Sequence, residues 1–181
     1  MSTYHHGDLR SALLGSASEI LEEQGLGALS LREVARRAGV SHNAPYRHFP
    51  DRDSLLAELA AEGFRQLGEA MAATQGREMG EAYVRFALEH PSRFRLMFGG
   101  QLKLRQHAVL AEAAKKTYDS LVGAFRAQAG VADPEKAAAA AWSLVHGLAQ
   151  LLLDGHFEQR GGSFVREVIG AVRFAAAQRS A

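Results

Sequence analysis

Apolar positions recur every three or four residues through most of the chain, and no convincing stretch alternates with a period of two. Leu9, Leu13, Ala17, Ile20 and Leu21 share one face of a first helix, which Asp8 can cap and Gly25 can end. Ser30 and Glu33 form a capping box, hydroxyl and carboxylate each serving the other's backbone amide. Behind that box Leu31, Val34, Ala35 and Ala38 make the apolar face of a short helix stopped by Gly39. Ser41 can cap the next short helix, with Pro45 near its first turn, where a missing amide hydrogen costs least. Asp51, after Pro50, caps a longer helix reaching Thr74.

Further helices follow over 78–89 and 91–98, the second ended by Gly99 and Gly100. Leu110, Ala114, Tyr118, Leu121 and Phe125 mark another, closed by Gly130. Asp133-Pro134 starts an Ala-rich helix to Leu153, with Pro at the first helical position. Val165, Val168, Ile169, Val172 and Ala176 mark the last. The pattern predicts an all-α fold: an N-terminal three-helix domain over 1–56 and a larger helical region over 57–181. Their boundary falls inside the helix after Asp51.

Composition narrows this picture. A hydrophobic share of 47% over 181 residues is enough for a core. No run of about 18 apolar residues is present, so no membrane-spanning helix is expected. The start MSTYHHGDLR is polar and has no apolar signal core. Without cysteine there are no disulfides and no thiolate metal sites. Together these point to a cytoplasmic protein. Adjacent His5 and His6 point apart, and no carboxylate–histidine cluster accompanies them, so neither a metal nor a cofactor is expected.

The net charge of +1 does not decide for or against nucleic acid. Residues 1–56 carry six arginines against seven acids, so this domain is not basic as a whole. Residues 30–52 hold five arginines against two acids, which makes a local basic surface.

The stretch LREVARRAGVSHNAPYRHFPDRDSLL, residues 31–56, has the layout of a helix-turn-helix: short helix, glycine turn, short helix, start of a third. The second short helix would be the recognition element, led by His42, Asn43 and Ala44. An asparagine amide can pair two-pronged with adenine, a histidine can donate to guanine or phosphate, and alanine permits close approach or touches a thymine methyl. Tyr46, Arg47 and His48 follow as donors to phosphates, with Phe49 buried beneath them. Arg52 stands at a helix start, where amides already favour an anion, and Ser30 and Arg32 hold the matching place on the preceding helix. Plain structural readings stand beside these. Asn43 also suits a helix start, and Arg36 and Arg37 suit a solvated face.

Residues 4 to 56 resemble the N-terminal domain of the TetR (AcrR-like) transcriptional regulators, with YHHGDLRSALLGSASEILEEQGLGALS matching the family's first helix and lead-in. The resemblance rests on Ala35, Gly39, Val40, Ser41, Tyr46, His48, Phe49, Arg52 and Leu55 in combination. Where Arg52 stands the family commonly has Lys; Arg keeps the charge and adds a fork. The resemblance implies phosphate contacts at Ser30, Tyr46, His48 and Arg52, base contacts at the start of the recognition helix, and a Tyr4–Arg10 segment beside the DNA.

Downstream, AAAAAWSLVHGLAQLLLDG (137–155) resembles a subgroup with a Trp-x-x-x-His-Gly pattern, matched by Trp142, His146 and Gly147, and PSRFRLMFGG (91–100) fits the same subgroup. Helices over 137–155 and 163–178 are apolar on more than one side, and their small residues allow close approach. They suit a homodimer interface built from the last two helices of each chain, and they also suit an internal core. Two readers about 34–36 Å apart would meet successive major grooves of a palindromic double-stranded operator. Phe86, Phe94, Met97, Phe98, Tyr118, Trp142 and His146 supply bulk and polar handles for a small-molecule pocket, or equally for a core.

Three function classes follow. The leading expectation is a ligand-responsive, homodimeric DNA-binding regulator acting as a repressor. An enzyme is disfavoured, because no nucleophile–base set, phosphate loop or metal spacing is present. A helical adaptor without DNA binding is the third.

Overall fold

The computed structural model describes residues 6–158 and 161–172, and among them it contains helices and turns only. The eight α-helices are α1 (His6–Gln24), α2 (Leu31–Arg37), α3 (Arg52–Ala72), α4 (Arg77–Glu89), α5 (Pro91–Phe98), α6 (Ala108–Arg126), α7 (Pro134–Leu153) and α8 (Gly162–Ala171). Three short 3-10 turns join them, at Leu26–Ala28, Pro45–Arg47 and Leu104–Gln106. The Asp8 side chain, His5, Tyr4 of the expected lead-in, and Ala176 lie outside the described residues.

Two compact units emerge. Among the described residues, those up to Gly63 pack with His90–Ala113, and Phe64–Glu89 packs with those from Ala114 onward. The long helix α3 therefore gives its first half to one unit and its last turns to the other.

In the first unit α1 packs on α2, and the buried side chains include Leu13, Ala17, Ile20 and Leu21 of α1, Val34 and Ala35 of α2, and Phe49, Leu55 and Leu56. The turns follow from specific residues. Gly25 (φ 78°) and Gly39 (φ 68°) take the left-handed backbone that side chains disfavour. At Gly39 the end of α2 is a Schellman motif: Val40 N–H donates to the Ala35 carbonyl at 3.0 Å, and Gly39 N–H to Arg36 at 3.3 Å. The chain leaves α2 in one direction only.

Only half of the expected capping box forms. The Ser30 hydroxyl accepts from the Glu33 amide at 3.2 Å. The Glu33 carboxylate instead takes a two-pronged bond from Arg36, at 2.8 and 2.6 Å, which outcompetes a neutral amide donor. Asp51 caps α3 as expected, accepting from the Ser54 amide at 2.7 Å.

A regular helix from Ser41 is not formed. Ala44 N–H closes a turn on the Ser41 carbonyl at 2.9 Å, and Pro45–Arg47 continue as a 3-10 turn without a side-chain cap. Pro45 explains this: it has no N–H for the Ser41 carbonyl, and its ring crowds that carbonyl four residues back. The Ser41 oxygen pairs with Ala44 instead.

In the second unit α4 packs on α7 and α8. Gly80 permits the approach, since a Cβ there would stand 3.1 Å from Val145 and 3.2 Å from Ile169. Asp133 caps α7 through the Lys136 amide at 3.1 Å, as the Asp-Pro pair predicts.

Candidate nucleic-acid interface

Two buried residues hold the reading segment in place. Pro45 and Phe49 are buried, and Phe49 N–H bonds the Pro45 carbonyl at 2.9 Å, so this stretch is stapled to the core from beneath. Above them Ser41, His42, Asn43, Tyr46 and Arg47 are exposed and Ala44 is half-buried. Tyr46, a large aromatic, shows 56% of its surface, which a folded core gives no reason for. Arg10 of α1 braces the back of this segment: its guanidinium lies 5.7 Å from the centre of the Phe49 ring and pairs with Glu58 of α3 at 2.6 Å.

The arginines divide by partner. Arg36 is held by Glu33, and Arg37 pairs with Glu23 at 2.6 Å and Glu19 at 3.4 Å. These bonds pull the Glu23 and Glu33 carboxyls below their usual range, first through the hydrogen bond from the arginine. Arg52 turns back into the protein, where Nε donates to the Leu29 carbonyl at 2.7 Å and Nη2 to Leu26 at 2.8 Å. It thereby fixes the α1–α2 loop, and with it Ser30 and Arg32. Among the described residues Arg32 and Arg47 are the exposed arginines of this region with no internal partner. The local charge read from the sequence thus narrows to two available guanidinium groups. His48 is half-buried, with Nε2 enclosed and unpartnered.

A contact invisible in the sequence ties α5 into this unit. Arg93 is 7% exposed. Its Nη2 donates to the Ser18 hydroxyl of α1, and its Nε lies 3.2 Å from Glu22. Gly63 of α3 allows the approach, since a Cβ there would meet Met97 Sδ at 2.6 Å.

The seven pocket candidates divide between the units. Phe94, Met97 and Phe98 belong to the first, where Phe94 is buried with its ring 4.9 Å from that of Phe98. Phe86, Tyr118, Trp142 and His146 belong to the second. There Tyr83, which sequence reasoning missed, gathers the last two. Its hydroxyl accepts from Trp142 Nε1 at 3.0 Å and lies 2.9 Å from His146 Nδ1, while Tyr118 stacks on Trp142 at 5.2 Å. Burial pushes the Tyr83 phenol above its usual range, partly offset by the Trp142 bond, and burial lowers His146. No group of three metal-binding side chains occurs among the described residues.

An exposed polar row fixed behind a glycine turn, on a domain whose core is complete beneath it, defines a helix-turn-helix DNA-binding protein. Comparison with known proteins agrees. The family described as "Bacterial regulatory proteins, tetR family" matches residues 13–59, and "Tetracyclin repressor-like, C-terminal domain" matches residues 76–172. The chain belongs to the tetR family of transcriptional regulators. A solved structure of a protein of unknown function from Rhodococcus sp. RHA1 is 36% identical, with TM-score 0.78 over 94% of each chain. The uncharacterized HTH-type regulator YobS of Bacillus subtilis is 26% identical over 164 residues, 84% of this chain and 83% of its own. An HTH-type transcriptional repressor of Mycobacterium tuberculosis is 30% identical over 125 residues, covering 65% of this chain and 64% of its own.

Proposed function

We propose that this regulator is a homodimeric, non-enzymatic cytoplasmic repressor that a small-molecule ligand releases from a palindromic operator. Residues 1–56 read the DNA, and 57–181 sense the ligand and dimerise. His42, Asn43 and Ala44 contact bases. Ser30, Arg32, Tyr46, Arg47 and His48 contact phosphates, and Arg52, bonded to the Leu26 and Leu29 carbonyls, positions the loop that carries Ser30. The observation that carries the reading role is the exposed row Ser41–Arg47 standing on buried Pro45 and Phe49.

The dimer reading is supported by apolar stripes on α7 and α8. Ala140, Leu144, Gly147 and Leu151 recur along one side of α7, with Leu151 42% exposed; Phe164 and Val168 lie along α8, and Val172, just past its end, is 38% exposed. Sensing falls to the second unit, where the Trp142–Tyr83–His146 chain places polar groups among apolar side chains. A ligand acts there only as far as it binds the DNA-free arrangement better than the DNA-bound one.

The test is selection of duplex DNA from a randomised pool, combined with sedimentation analysis. A palindromic selected site and a dimeric mass support the proposal. A monomer selecting no sequence overturns it.

A further inference from the structure

Arg10, in the second turn of α1, has two inward partners in the first unit. Its Nη2 lies 2.6 Å from Glu58 Oε1 on α3. Its guanidinium carbon lies 5.7 Å from the centre of the Phe49 ring, within the reach of about 6 Å for a cation–π contact. One planar group thus meets α3 with its edge and the end of the reading segment with its face. A lysine ammonium is a point charge and has no such edge and face.

The contact is close to the exposed row. Phe49 is 1% exposed, and its N–H bonds the Pro45 carbonyl at 2.9 Å. Pro45, itself buried, directly follows His42, Asn43 and Ala44. A shift of the Phe49 ring therefore reaches the base-reading positions through one backbone hydrogen bond. The ion pair is a minor source of stability. The side chains of Arg10 and Glu58 are 42% and 20% exposed, and a pair this open to solvent adds little to folding. Buried Leu13, Ile20, Leu55 and Leu56 supply far more.

We propose that Arg10 is a positioning residue for base readout: held between Glu58 and Phe49, it fixes the angle at which His42, Asn43 and Ala44 meet the groove. The competing role is a direct phosphate contact, because Arg10 ends the lead-in that the resemblance places beside the DNA. The Glu58 bond and the Phe49 contact favour the inward role. This inference rests on the DNA-binding reading and adds a residue to it.

The experiment uses the full chain, a duplex that it selects from a randomised pool, and a scrambled duplex. Affinity for both is measured across a salt series for the unsubstituted chain, Arg10→Ala, Arg10→Lys, Glu58→Gln, and Arg10→Ala with Glu58→Gln. Melting temperature and helical content are followed for each, and binding is measured well below the lowest melting temperature. The ratio of selected to scrambled affinity is expected to fall about two- to fivefold in Arg10→Ala, since a brace transmits no more than its own contact energy. A fall in the same direction is expected in Arg10→Lys and Glu58→Gln, and the double variant is expected to fall no further than Arg10→Ala. The salt slope is expected to change by much less than the about 0.9 of a lost phosphate contact. A slope shallower by about 0.9 in Arg10→Ala, kept intact in Arg10→Lys, overturns the positioning role in favour of a phosphate contact. An unchanged ratio in Arg10→Ala or in Glu58→Gln also overturns it, and a lowered melting temperature alone would then mark a purely structural pair. No sequence-selective DNA binding by the unsubstituted chain overturns the reader assignment and the positioning role together.

Discussion

Tyr83 and His146, 63 residues apart in sequence, share a hydrogen bond of 2.9 Å between the phenol oxygen and Nδ1. Trp142 donates to the same oxygen at 3.0 Å, so one buried hydroxyl holds two side chains of α7 against α4. Tyr83→Phe keeps the ring and removes this junction. The expected loss is about 1–3 kcal/mol of stability, the range for stranding buried polar partners. Urea unfolding with an unchanged denaturant slope would confirm it. A loss within error would show that water replaces the hydroxyl.

Burial lowers the pKa of His146 below its ordinary value of 6.5. The unfolded chain then binds the proton at a higher pH than the folded chain does. Stability associated with neutral His146 is full above about 6.5 and is lost as pH falls through the lower folded value. Melting temperature is expected to drop on acidification below 6.5, and His146→Gln is expected to flatten that part of the curve. A parallel drop in the variant would assign the acid sensitivity to other groups.

Two glycines give opposite expectations. A Cβ at Gly63 would stand 2.6 Å from Met97 Sδ and 3.1 Å from Arg93 Cγ, whereas at exposed Gly15, within α1, it would meet nothing within 4 Å. Gly63→Val is expected to destabilise by about 1–3 kcal/mol through overpacking. Gly15→Ala is expected to stabilise by about 0.5–1 kcal/mol, because alanine favours the helix interior. Thermal melts of the two variants check the signs.

Asn43 and Arg47 are both exposed in the reading segment, but their expected roles differ. Asn43→Ala is expected to cost about 1–3 kcal/mol on the preferred site and to relax base preference at one position of each half-site. Arg47→Ala is expected to weaken binding evenly across sequences and to lower the salt slope by about one. Sites reselected with each variant distinguish the two.

The helices were legible because their signals are local. Asp51 and Asp133 cap α3 and α7 as their sequence positions indicate, and Gly25, Gly39 and Gly130 turn the chain with positive φ. Less legible was anything depending on competition. Ser30-Glu33 reads as a complete box until Arg36 takes the carboxylate, and the helix from Ser41 looks continuous until Pro45 leaves the Ser41 carbonyl to Ala44. The charged surface was legible only as a count. Five arginines in one window cannot reveal that Arg36, Arg37 and Arg52 are occupied internally. Long-range pairs carried no sequence signal: nothing near Tyr83 points to Trp142, and nothing near Glu22 points to Arg93.

Arg93, seated against Ser18 and Glu22, makes the reader a discontinuous object. Grafting it onto another regulator by cutting once, inside α3, would leave Ser18 and Glu22 facing an unrelated helix. A working transplant has to carry two pieces of chain, the first through Gly63 and the second spanning His90–Ala113. The same bond between α1 and α5 constrains inheritance, because recombination that exchanges only the first piece separates residues whose fit depends on each other.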